Sequence, residues 1–217
     1  MAVYLYGISE EHAEAPPVDG LQDQPLRLVR SGGLSALVSD TAVSRLQGGE
    51  SELWEHESAV EAWMCARDVL PAAFGTVLAS DSAVRSVLEQ RAAEFTSALR
   101  RVSGASELAV RAAWLDQHSP TPQGGAGYLE VRLDARRRAE ALARRLDGRL
   151  RPLSRAARAR VLSDHATAVS AAYLVDRERI PEFRSEVERL ADDVREATLV
   201  CTGPWPPYSF TRDGEAA

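Results

Sequence analysis

Hydrophobic positions fall into short, distinct rhythms along the chain. Val3, Tyr4, Leu5, Tyr6 and Ile8 crowd the first stretch, and their aromatic and β-branched character predicts a strand over residues 2–8. Residues 11–24 hold Pro16, Pro17, Asp19 and Gly20, a loop by turn chemistry. Two apolar runs, 26–30 and 34–39, flank Ser31-Gly32-Gly33 and predict a β-hairpin, because glycine accepts the positive φ of a tight turn. From Ser51 onward, Leu53, Val60, Trp63 and Met64 recur at helical steps, with Glu52, Glu55 and Glu61 elsewhere, and the helix must stop before Pro71.

Beyond Leu70 the rhythm changes. Phe74–Leu78 reads as a strand containing Gly75, and Ser80 or Asp81 caps a helix with the stripe Val84, Leu88, Phe95, Leu99 and Val102, ended by Gly104. Leu108, Val110, Ala112 and Trp114 alternate with their neighbours, as do Val169, Ala171, Tyr173 and Val175, which predicts two half-buried strands. Pro181 suits the first turn of a helix carrying Phe183, Val187, Leu190 and Val194, and Ala197–Thr202 forms the last strand. Residues 116–164 begin with a Pro-, Gly- and Ser-rich loop. They continue as one apolar stripe through Ala135, Ala139, Leu142, Leu146, Leu150, Leu153, Ala157 and Val161. Gly148 and Pro152 are expected to divide that stripe into two or three helices.

The order from residue 70 is therefore β-α-β, a helical insertion, then β-α-β, the split βαβ arrangement. The expected class is α+β with two domains. Residues 1–69 form an N-terminal α+β domain. Residues 70–217 form a modified ferredoxin-like (βαββαβ) domain with helices inserted at about 116–164. Its strands, around 74–78, 106–115, 168–175 and 197–202, are expected in one antiparallel sheet.

Composition narrows the class of function. With 217 residues, 45% hydrophobic and 27% charged, the chain can bury a core without metal or disulfide staples. No apolar run approaches the roughly 20 residues that span a bilayer, and residues 1–10 lack the basic flank and apolar centre of a signal peptide. Cys65 and Cys201 stand far apart and make neither a disulfide framework nor a zinc site, which points to a reducing compartment. All 26 basic residues are arginine, and 11 of them fall within residues 126–162 against only Glu130, Asp134, Glu140 and Asp147. That segment carries +7 and leaves −13 for the rest of a chain whose net charge is −6, so a basic face sits on an acidic protein.

No catalytic constellation emerges. His12, His56, His118 and His165 share no ligand spacing, and no HExxH or CxxC motif occurs. His56 reads as a packed or surface histidine. Cys65, in Trp63-Met64-Cys65-Ala66, reads as a small hydrophobe. Asp192 and Asp193 are adjacent on a helix and point apart. The loop Gln123-Gly124-Gly125-Ala126-Gly127 lacks the Lys-Ser/Thr of a P-loop. Catalytic, cofactor and metal sites are accordingly expected to be absent. The arginine-rich stretch offers only Tyr128 for base stacking, so a solvated helix face or an acidic protein partner suits it better than nucleic acid. Arg137, Arg144 and Arg145 lie off the apolar stripe and are candidates for partner contact. So are Trp205, Tyr208 and Phe210 of the proline-rich tail, whose rings have the alternative of packing back onto their own domain.

Several of these segments resemble one family. Tyr4-Leu5-Tyr6-Gly7-Ile8, Leu70-Pro71-Ala72-Ala73-Phe74-Gly75-Thr76-Val77, Tyr173-Leu174-Val175 and Gly203-Pro204-Trp205-Pro206-Pro207-Tyr208-Ser209-Phe210 are similar, in order, to the motifs of the gas vesicle protein L/F family. The last motif is the most specific. The resemblance implies two α+β domains, the second a modified ferredoxin-like fold. It also implies a cytoplasmic, gas-vesicle-associated role as a minor shell component or assembly factor. The implied partners are the major hydrophobic shell protein and other vesicle accessory proteins, with no enzymatic activity, cofactor, nucleic acid or membrane. The alternative function is a small-molecule-binding or enzymatic ferredoxin-like protein, because that fold hosts many activities.

Overall fold

The computed structural model describes residues 1–11, 14–42, 48–115, 124–162 and 167–211. The chain divides into two units, residues 1–104 joined by the tail from Trp205, and residues 105–204. The division thus falls at Gly104/Ala105, not near residue 70 as the change of rhythm suggested.

The first unit contains β1 (Ala2–Glu10), β2 (Arg27–Ser31), β3 (Leu34–Thr41), α1 (Glu50–Met64), β4 (Leu70–Pro71), β5 (Val77–Leu78), α2 (Asp81–Gln90) and α3 (Ala92–Val102). Its sheet has the order β2-β3-β1-β4, and β5 also pairs with β1. β2 and β3 form the expected hairpin, with Gly32 at φ +62° and Gly33 at φ +77°, the positive pair that a tight two-residue turn requires. β1 is buried at seven consecutive residues because helices cover both faces of the sheet. Tyr4 and Tyr6 pack with Ala59, Val60 and Trp63 of α1, while Val84, Leu88 and Leu99 of α2 and α3 are also buried. Ser80 caps α2 by accepting from the Ala83 N–H at 3.3 Å, as its sequence position predicts. Arg27 joins the sheet to α2 through Asp81 (2.8 Å) and Asp40 (2.6 Å).

The second unit contains β6 (Ala105–Trp114), α4 (Gly124–Leu150), β7 (Ala156–Val161), β8 (Thr167–Asp176), α5 (Ile180–Asp193) and β9 (Ala197–Trp205). Its sheet has the order β7-β8-β6-β9, with β8 antiparallel to both β6 and β7. Leu108, Val110 and Ala112 of β6 face the same core as Val169, Ala171, Tyr173 and Val175 of β8, the alternation read from the sequence. Leu142, Leu146 and Leu150 of α4 and Phe183, Val187 and Leu190 of α5 complete that core.

Several expectations are overturned. Residues 77–78 belong to the first sheet, where Val3 faces Leu78 and Tyr4 faces Val77, so the four expected strands do not share one sheet. The place is taken by β7, inside the supposed helical insertion. Ala157 and Val161 continue a helical stripe by spacing, but Ala157-Arg158-Ala159-Arg160-Val161 also alternates, and pairing with β8 decides for the strand. Gly148 does not interrupt α4, because buried Leu146 and Leu150 hold the turn on either side of it; Pro152 lies in the short turn Arg151–Leu153 that follows. The tail strand also runs further than its prolines suggested. β9 lies at the end of the sheet, where Pro204 costs no ladder bond to a further strand.

Candidate functional site

The most constrained polar group in the first unit is His56, which α1 carries on its inward face with Ala59, Val60 and Trp63. It is 0% exposed. The Tyr4 hydroxyl lies 2.8 Å from Nδ1 and the Tyr208 hydroxyl 3.0 Å from Nε2. Tyr4 accepts from the Gly75 N–H at 3.0 Å, so its single proton is free for Nδ1. The ring proton then sits on Nε2 and is donated to Tyr208, whose own proton serves the Glu57 carboxylate. The ring stacks on Tyr6, with centroids 5.6 Å apart, and meets Phe74 edge-on.

This environment fixes protonation. Burial pulls His56 down to about 4, opposed only by the Ala72 carbonyl, so the ring is neutral at neutral pH. Burial raises Glu57, and the Tyr208 hydrogen bond acts against it. Tyr208 is raised by burial first and by the Glu57 charge second. Both imidazole nitrogens are engaged, and the relay works as a clasp that holds the tail. Buried Pro206, Pro207 and Phe210 pack beside it, Phe210 at 3% exposure. A separate cavity of about 240 Å³, lined by Glu10, Glu11, Gly33, Thr96 and Arg100 among others, is smaller than most ligand pockets. Among the described residues no group of three or more His, Cys, Asp or Glu could hold a metal ion, and no helix is long and apolar enough to cross a membrane. His12, His118, His165 and Gln123 lie outside the described residues, while Gly124–Gly127, expected as a loop, form the first turn of α4.

The six candidate contact residues separate. Arg137 and Arg144 are exposed on α4, Arg137 only 3.4 Å from Asp134 one turn away. Arg145 is engaged within its own unit, donating to the Asp193 carbonyl at 2.9 Å. Trp205 is 38% exposed, Tyr208 is held by the clasp, and Phe210 is core. The tail therefore follows the packing-back alternative at two of its three rings.

Sequence reasoning missed exposed apolar residues on two helices. Trp54 of α1 is 65% exposed, and Leu129 and Leu133 of α4 are 61% and 53% exposed. Leu53, placed on the α1 core stripe by spacing, is also outside it at 45% exposure. The signal at α4 was present, since Leu129 and Leu133 repeat at i, i+4 away from the Ala139–Leu142–Leu146 stripe.

Comparison with known proteins follows this geometry. The family model for gas vesicle synthesis protein GvpL/GvpF matches residues 2–124 and 127–212. Gas vesicle protein L of Streptomyces sp. (strain CB03234) is 30% identical, covering 95% of this chain and 91% of that protein. Gas vesicle protein F of the same strain is 27% identical, covering 97% and 99%. The crystal structure of GvpF from Anabaena sp. PCC7120 superposes with a TM-score of 0.84 at 21% identity, covering 99% of this chain and 97% of that one, which establishes the shared fold.

Proposed function

The chain belongs to the gas vesicle synthesis protein GvpL/GvpF family, and from that premise we propose that it is a non-enzymatic accessory protein, a minor shell component or assembly factor that binds the hydrophobic shell protein. The family relation itself supports a gas-vesicle-related role. The observation that carries the finer reading is β9. This strand ends its sheet with an unpaired backbone edge and presents Val200 at 50% exposure, a place where an aggregation-prone subunit can add its own backbone before polymerising. Arg137 and Arg144 speed encounter with acidic vesicle proteins, and the protein works in the cytoplasm at the vesicle. The second unit is read as ferredoxin-like, with β7 in place of the strand expected near residue 76. Its β-α-β-β-α-β order and antiparallel β7-β8-β6 pairing support that reading.

The neutral, fully engaged His56 supports a role without catalysis. The test is capture of purified major shell protein by the full chain, beside an unrelated hydrophobic peptide of equal length. Selective capture that weakens with Val200→Lys is expected. Equal capture of both baits overturns the proposal.

A further inference from the structure

α4 and α5 both pack on the side of the second sheet that carries Leu108 and Val110, so the residues alternating with those core positions point the other way. The pairing register sorts them into rows. Arg111 of β6 and Arg160 of β7 both face Ser170 of β8, which makes one row across three neighbouring strands. The next row is Ala109, Ala172 and Arg158. Arg111 and Arg160 are exposed, while Ser170, Ala109 and Ala172 are half-buried between and beside them.

These two arginines differ from others of the same unit. Arg149 pairs with Glu186, Arg151 with Asp147, Arg155 with Asp176 and Arg179 with Glu182. Among the described residues Arg111 and Arg160 make neither an ion pair nor a hydrogen bond, whereas Arg158 in the next row is already engaged. The acids on the same face do not answer them: Glu107 of β6 is 8% exposed, and Asp176 of β8 is held by Arg155. β6 lies between β8 and β9, so Arg111 does not serve to guard a sheet edge. The floor of the row is methyl and hydroxyl groups, low enough for a partner to bring carboxylates onto both guanidinium groups.

We propose that this row binds an acidic helix of another protein, one carboxylate on Arg111, a second on Arg160, and the Ser170 hydroxyl donating between them. The spacings agree. Two inter-strand steps place the arginine backbones about 9–10 Å apart, and carboxylates two turns apart on a helix are spaced by about 10.5 Å. An open row on a sheet suits a helix laid across the strands better than a small molecule, which takes a concave site. A polynucleotide fits worse, because the chain carries a net charge of −6 and the two rows offer no aromatic ring for stacking. Both arginines are exposed, so the contact is weak and falls with salt. It uses side chains on the sheet face and not the backbone edge of β9, so its failure leaves capture of the shell protein standing, and the reverse.

The probe is a synthetic helical peptide of alanine and glutamine with two glutamates two turns apart. Titration into the isotope-labelled full chain, followed on the arginine Nε–Hε signals by nuclear magnetic resonance, reads both the site and the affinity. At low salt the Arg111 and Arg160 signals should shift together, and high salt should abolish the shifts. Arg111→Gln with Arg160→Gln should weaken binding by about tenfold, the combined worth of two exposed pairs. Arg85→Gln with Arg195→Gln removes the same charge from exposed positions elsewhere and should change binding less than about twofold. Far-UV circular dichroism of each variant controls for folding, and a peptide with glutamine in place of both glutamates should not bind. Absence of shifts at Arg111 and Arg160 overturns the proposal, as does an equal loss in the two variant pairs. Inorganic phosphate binding these side chains as tightly as the peptide also overturns it, because the row would then be a site for small oxyanions.

Discussion

Replacing His56 by phenylalanine keeps a flat ring between Tyr6 and Phe74 but deletes both nitrogens from the relay. Tyr4 still accepts from the Gly75 N–H, yet its own proton loses its acceptor inside a core where Tyr4 is 1% exposed. Tyr208 loses the donor at 3.0 Å and keeps Glu57. One buried unsatisfied hydroxyl and two lost hydrogen bonds predict a loss of about 2–4 kcal/mol at pH 7. The pH dependence carries a second signature. His56 titrates near 4 when folded, against 6.5 ordinarily, so the unfolded chain takes up the proton first as pH falls. Stability is complete above pH 6.5 and declines toward pH 4, by ~3 kcal/mol for a displacement of this size. The phenylalanine variant lacks that decline, so the gap between the two proteins should narrow on acidification. Asp81 and Glu186, held low by Arg27 and by Arg149 with Arg189, lose stability with acid in both proteins and cancel in the comparison. Glu57, held high by burial, has the opposite sign, because the folded state binds its proton more readily. Urea unfolding followed by tryptophan fluorescence at pH 7, 6, 5 and 4.5 measures the gap, and Tyr4→Phe closes a double-mutant cycle. A variant as stable as wild type at pH 7, or a gap constant with pH, would refute the relay.

Leu146→Ala, at a site 1% exposed among Leu142, Leu150 and Tyr173, should cost about 2–5 kcal/mol in thermal or urea unfolding; a loss below ~1 kcal/mol would mean that α4 is loosely packed. Trp205→Ala should cost about 1–2 kcal/mol, short of the ~3–5 kcal/mol of a buried aromatic, because the ring keeps 38% of its exposure. A thermal melt distinguishes the two cases.

Local chemistry was enough wherever a few neighbouring residues decide the backbone. The Ser31-Gly32-Gly33 turn, the Ser80 cap, Pro181 in the first turn of α5 and the alternations of β6 and β8 all follow from dihedral preference or from a period of two. The proline-rich tail marked the family, but its role as a clasp was invisible, because His56 lies 52 residues from Tyr4 and 152 from Tyr208. Strand membership was equally hidden. Residues 77–78 and 156–161 are short or ambiguous in pattern, and the choice of sheet rests on hydrogen bonds to β1 and β8, partners that no local period encodes. Among the exposed residues, Trp54 and Leu129 look like core by type. Only the packing of Val60, Trp63, Leu142 and Leu146 shows which side of each helix is already filled and which stays exposed.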